Sequence, residues 1–152
     1  MKKNLKIFVA YPFSGILNED KDLIFDGNKN FLIEFREQLI NKGHYVFMAH
    51  YREHWGKQLM TPDECTLDDL KEMVCTDLVV AFPGPPFSGG VHIELGWASS
   101  FKKRIILMLK EGEDYSPLIL GLGTVCDASI YYYKKQNVEE VIQLIEQLVL
   151  EL

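Results

Sequence analysis

The stretch Phe82-Pro83-Gly84-Pro85-Pro86-Phe87-Ser88-Gly89-Gly90-Val91-His92-Ile93-Glu94-Leu95-Gly96-Trp97 is the densest concentration of reactive and ligand-binding residue types in the chain. An apolar run breaks into a Pro/Gly loop, and Ser88-Gly89-Gly90 then leads into a helical pattern. A helix that starts this way presents a hydroxyl and unpaired backbone N–H groups at its positive end, the ingredients of a phosphate seat. The spacing is neither the Walker pattern nor the dinucleotide fingerprint, so a mononucleotide or sugar phosphate suits it better than a nucleoside triphosphate. The alternative is a plain turn whose glycines only satisfy backbone geometry.

Glu94 follows at helical spacing, on one stripe with Val91, Ala98 and Phe101, so its carboxylate is aimed along a surface that should face protein. Burial without a partner costs several kcal/mol or forces protonation. Here the helix dipole and the loop N–H groups are expected to keep the anion charged in a partly dry cleft; a first-turn acid facing solvent is the other reading. Asp69 is the second carboxylate. The helix start Thr61-Pro62-Asp63-Glu64 places it inside a helix, on a stripe with Cys65 and Met73, although Thr66-Leu67-Asp68-Asp69 could itself be a capping box. Semi-buried there, Asp69 would have a raised pKa and suit a proton donor; on a charged face with Asp68 it would simply be solvated. One ionised and one protonatable carboxylate are what glycosidic bond cleavage needs: a nucleophile for the anomeric carbon and an acid for the leaving group.

Two further segments are candidates for base or sugar contacts. Tyr11-Pro12-Phe13-Ser14-Gly15 offers Phe13 as a platform for a planar base, with Tyr11 and Gly15 beside it, or Phe13 packs in the core. Ala49-His50-Tyr51-Arg52-Glu53-His54-Trp55-Gly56 mixes rings with charge and reads as a specificity loop in which His50 and Arg52 meet the ligand, or as simple aromatic packing. His44, His50, His54 and His92 have no metal-ligand spacing, so neither a metal nor another cofactor is expected. No Gly-x-Ser-x-Gly elbow or Cys/His nucleophile pattern is present.

Five buried-strand patterns and the helices between them must position these groups. The strands are Leu5 to Tyr11, Tyr45 to Ala49, Leu78 to Phe82, Ile105 to Leu109 and, more weakly, Ala128 to Tyr133. Helical spacing covers Asn28 to Asn41, Thr61 to about Cys75, about Gly90 to Phe101, and a last stretch carrying Val138, Val141, Ile142, Ile145, Leu148 and Val149. Alternation of the two implies a single α/β domain over residues 1–152, a doubly wound sandwich on a mostly parallel five-stranded sheet. Ligands bind such sheets beyond the carboxyl ends of the strands, where the strand order reverses.

The 152 residues suit one domain, and 47% hydrophobic with 25% charged content excludes a disordered or fibrous chain. Sixteen Lys and Arg against 22 Asp and Glu give a formal charge of -6, which argues against nucleic-acid and acidic-membrane partners. The 3 cysteines have no Cys-x-x-Cys spacing, there is no leader-like cleavage site, and no stretch approaches a membrane span. A cytoplasmic protein acting on a small molecule is expected.

A strand ending in Pro-Phe, a helix carrying Asp69-Leu70, the strand Asp77-Leu78-Val79-Val80 and then Gly89-Gly90-Val91-His92-Ile93-Glu94-Leu95-Gly96-Trp97-Ala98 together resemble the nucleoside 2-deoxyribosyltransferase superfamily over almost the whole chain. Within it, the segments Ala49 to Gly56, Val80 to Pro86, and Glu113-Asp114-Tyr115 with Gly121-Leu122 resemble most the cytidine 5′-monophosphate (CMP) and 5-hydroxymethyl-CMP hydrolases of mildiomycin, blasticidin and bacimethrin biosynthesis. The resemblance implies a flavodoxin-like fold, a Glu94 nucleophile, an Asp69 acid/base, and phosphate binding by Ser88, Gly89 and Gly90. It also implies a homodimer with shared active sites, in which Ser116 from the second subunit joins the phosphate site. Residues Ile16 to Asp26 depart from the pattern: they are acidic, and Lys21 is the only local candidate for the basic residue some relatives use near the pyrimidine 5-substituent. A deoxyribosyltransferase, a 2′-deoxynucleoside 5′-monophosphate N-hydrolase and a nucleotide-sensing module are the competing functions.

Overall fold

The structure is a computed structural model that describes residues 3–13 and 26–152. The five apolar runs become β1 (Lys6–Ala10), β2 (Tyr45–Met48), β3 (Leu78–Ala81), β4 (Arg104–Lys110) and β5 (Ala128–Tyr133). They form one sheet in the order β2-β1-β3-β4-β5, and every neighbouring pair is parallel. The expected mostly parallel sheet is thus wholly parallel. Burial on both faces explains the composition: all four residues of β3 are buried, which no alternating pattern would tolerate.

Three long helices follow the expected patterns closely, and a fourth starts two residues early: α1 (Asp26–Asn41), α3 (Pro62–Cys75), α4 (Gly89–Ser100) and α6 (Val138–Leu150). Thr61 caps α3 through a reciprocal box with Glu64, so the competing start at Thr66 is not used. Gly43, at φ 92, provides the left-handed residue that ends α1 and lets His44 N–H reach the Leu39 carbonyl. Two short helices carry no readable periodicity: α2 (Ala49–Arg52) and α5 (Pro117–Leu120). The segment expected to be a specificity loop is therefore α2 followed by a 3₁₀ turn at His54–Gly56, with His54 and Trp55 in left-handed conformations.

Side-chain alternation along β1 divides the core. Ile7, Val9 and Tyr11 join Phe31, Phe35, Ile142 and Ile145 beneath α1 and α6. Phe8 and Ala10 join Met73, Val91, Leu95, Ala98 and Ile119 beneath α3, α4 and α5. The chain order reverses between β1 and β3, which makes the carboxyl ends of those strands the switch point. Tyr11, Phe82, Lys110 and Tyr133 all lie at that edge. Among the described residues, no helix is long and apolar enough to cross a membrane.

Candidate active site

The helix start expected at Ser88-Gly89-Gly90 forms there. Ser88 is the extended N-cap of α4, and its Oγ accepts the Val91 N–H at 3.3 Å. A Cβ on Gly89 would meet nothing within 4 Å, so the backbone there is open to a ligand. A Cβ on Gly90 would lie 3.6 Å from Ser88 Oγ and 4.0 Å from Glu94 Oε1, so the cap hydroxyl, the helix mouth and the Glu94 carboxylate share one corner. His92 Nδ1–H donates to the Ser88 carbonyl at 2.6 Å and steadies that corner.

Glu94 is half-buried, on the inner side of a helix whose Val91, Leu95 and Ala98 are core residues. Phe101, expected on the same buried stripe, is instead the exposed C-cap. The charge state differs from expectation too. Among the described residues the Glu94 carboxylate takes no hydrogen bond, and burial followed by the negative charge of Asp69 holds it well above the usual carboxylate range, with Arg52 opposing. The support expected from the helix dipole and loop N–H groups is outweighed by burial and by the Asp69 charge, which favour the protonated form.

Asp69 is held by Arg52. Arg52 reaches across from α2: Nη1 lies 2.5 Å from Asp69 Oδ1 and 2.7 Å from Asp68 Oδ2, and Nη2 lies 3.0 Å from Glu53 Oε2. Glu53, only 6% exposed, is itself fixed because Oε1 accepts the Met60 N–H at 2.9 Å. Burial raises the Asp69 pKa, as expected of a proton donor, while Arg52 pulls it back. Burial opposes the Arg52 charge, but its bonds to Asp69, Asp68 and Glu53 more than offset that and raise its pKa. Arg52 was expected to meet a base or sugar; the structure commits its guanidinium to carboxylates. Glu53 was missed entirely. Its signal was an Arg-Glu pair directly after a buried strand, facing the unbalanced Asp68-Asp69 of the next helix.

Phe13 is half-buried and stacks on His50, with ring centroids 4.8 Å apart and planes at 31°. His50 was also expected to contact ligand, but it is 1% exposed and sits against Phe13 and Tyr11. Its Nε2–H donates to the Pro12 carbonyl at 3.0 Å, and Nδ1 is buried without a partner. Tyr11, 6% exposed, faces the α1 and α6 side, donating to Asn28 Oδ1 at 3.0 Å and accepting from Gln136 Nε2. Ser116 caps α5, its Oγ accepting the Leu118 N–H at 3.2 Å. Gly15 and Lys21 lie outside the described residues. Among the described residues no group of three His, Cys, Asp or Glu is placed to hold a metal ion.

The structure of Clostridium botulinum CMP N-glycosidase, BcmB, is similar over 94% of this chain and 98% of that one, at 34% identity and a TM-score of 0.70. The chain belongs to the family of BcmB. The solution structure of BlsM matches at 37% identity over 98% of this chain and 91% of its own, with a TM-score of 0.81. A conserved protein from Enterococcus faecalis V583, at 14% identity, 96% and 99% coverage and a TM-score of 0.60, shares the fold alone. Neither a family model nor a curated protein sequence matches the chain. Membership of the BcmB family agrees with the resemblance read from Glu94-Leu95-Gly96 and the Asp69-Leu70 upstream of it.

Proposed function

We propose that the protein is an N-glycosidase that hydrolyses the base–sugar bond of a pyrimidine nucleoside 5′-monophosphate, CMP or 5-hydroxymethyl-CMP, to free base and ribose 5-phosphate. The observation that carries it is the corner where the Ser88 cap, the open Gly89 backbone and the Glu94 carboxylate converge, in a member of the CMP N-glycosidase BcmB family. In this reading the phosphate sits on the first-turn N–H groups of α4 and the Ser88 hydroxyl, which places the anomeric carbon toward Glu94. Phe13, backed by His50, stacks on the base.

The chemistry then divides between the two carboxylates. As the bond from the anomeric carbon to the base breaks, its electron pair goes to the base, and Asp69 delivers a proton there. Glu94 reacts as the carboxylate, its proton having passed to solvent; positive charge growing on the sugar favours that form, whose oxygen bonds to the anomeric carbon. Water then attacks that carbon, Asp69 takes the water's proton, and Glu94 leaves as carboxylate. The elevated Glu94 pKa of the free protein fits a group that ionises against a developing cation.

A homodimer with shared sites belongs to the same proposal. The layer of α3, α4 and α5 exposes Leu67, Val74, Ile93 and Leu118, the last at 83%, an apolar surface that a second copy would cover. The partner's Ser116 would then approach the phosphate. A cytoplasmic location is part of this reading.

The test is incubation with CMP, 5-hydroxymethyl-CMP, deoxycytidine monophosphate and cytidine, with free base resolved by chromatography. Base and ribose 5-phosphate should appear in equal amounts from a ribonucleotide, and Glu94→Ala should stop both. Exchange of the sugar between bases without hydrolysis would overturn the proposal.

A further inference from the structure

Lys110 ends β4 beside Tyr133 of β5 in the parallel register, and Lys134 and Lys135 follow Tyr133 directly. The topology thus gathers three ammonium-bearing residues at one corner of the carboxyl edge. Together with Tyr11, Asn28 and Gln136 they line a cavity of about 400 Å³ on the α1 and α6 side of the Pro83-to-Ser88 loop. Among the described residues no carboxylate lines it; Glu111 and Glu140 border the adjoining hollow, which Lys134 and Lys135 also touch. Among the described residues none of the three lysines has a carboxylate within ion-pair distance. In a chain with a formal charge of -6, a hollow whose described lining carries three cations and no acid runs against the sign of the protein's net charge.

The rest of the lining is uncharged. Burial pushes the Tyr133 hydroxyl up to about 12 and raises Tyr11 as well, so both stay protonated and add no negative charge. The Tyr11–Asn28–Gln136 network supplies neutral donors and acceptors of the kind that sugar hydroxyls need. Ammonium point charges suit phosphate, and the volume suits a monosaccharide. We propose that this cavity binds a phosphate monoester of sugar size, separately from the corner at Ser88 and Glu94.

The test uses titration calorimetry of the whole chain with glucose 6-phosphate and, in a separate arm, inorganic phosphate. Glucose 6-phosphate should bind, and the combined Lys110→Met, Lys134→Met and Lys135→Met variant should weaken it about tenfold or more. Lys134→Glu, a single change at an exposed side chain, guards against misfolding and should weaken it by a similar factor. Ser88→Ala should leave it within about twofold, as should CMP cleavage in the lysine variants. Unchanged affinity in both lysine variants, loss with Ser88→Ala, or equal affinity for inorganic phosphate would each overturn the proposal. The calorimetric arms read binding alone, so they stand whether or not CMP is cleaved.

Discussion

Arg52 Nη1 and Asp69 Oδ1 lie 2.5 Å apart, joining the short helix after β2 to the middle of α3 across the mouth of the candidate site. The contact does two things: it fixes where Asp69 points, and its positive charge lowers the proton affinity of both Asp69 and Glu94. Arg52 is thus a positioning residue for one carboxylate and an electrostatic brake on the other.

Arg52→Gln should reduce kcat/KM for CMP about a hundredfold, the scale of a misplaced catalytic group. In the proposed mechanism the rate requires ionised Glu94, so its acid limb should follow that group's pKa. Without the guanidinium that pKa rises further, and the limb should move to higher pH; a purely structural role for Arg52 would lower the rate at every pH without moving the limb. Rates of base release across the acid limb decide between them.

Glu94→Gln should abolish cleavage, by about a thousandfold or more, and at the same time stabilise the fold. The folded chain holds the Glu94 proton more tightly than the unfolded chain does. Stability from this group is therefore present at and below the ordinary carboxylate range and lost as pH rises through the elevated value. Gln removes that loss. Thermal melts should place the variant about 2–4 °C above wild type at pH 8, the shift that 1 kcal/mol produces in a domain of this size, and level with it at pH 4.

His50 has the opposite sign. Burial, reinforced by the Arg52 charge and opposed by the Pro12 carbonyl, lowers its pKa from 6.5 to about 4. The folded chain resists protonation, so stability is lost as pH falls from 6.5 toward 4, by about 3 kcal/mol. His50→Gln keeps an N–H for Pro12 and does not titrate. Denaturant midpoints measured at pH 7 and pH 4 should fall less for the variant than for wild type; equal falls would mean that His50 protonates freely.

Mixing Glu94→Ala and Ser116→Ala chains tests the shared dimer site. If the serine comes from the partner, random reassortment leaves about a quarter of the sites intact, since half the dimers are mixed and one of their two sites carries neither lesion. Activity should return on mixing from two impaired preparations. No recovery after verified subunit exchange would place Ser116 outside the neighbour's site.

The sheet, the long helices and the convergence at Ser88, Gly90 and Glu94 were legible because each rests on a local rule: doubly buried strands, helical spacing, a cap before a glycine pair. Asp69 was legible as semi-buried from its stripe with Met73, which is 0% exposed. Its partner was not, because Arg52 lies 17 residues away on a helix of four residues, too short for any period to show. Glu53 was hidden for the same reason. The upward shift of Glu94 was not legible because spacing tells which face a side chain takes but not how dry that face is or that Asp69 stands near it.

Gly84 and Pro85 tie the two hollows of the carboxyl edge to a single tether: Tyr115 donates its hydroxyl proton to the Gly84 carbonyl, and the same hydroxyl accepts from the Lys110 N–H. An engineer who grafts a longer connection between Phe82 and Ser88 would alter two recognition properties in one operation. Replacing Asn28 or Gln136 alters one, and is where a library aimed at new ligands should begin.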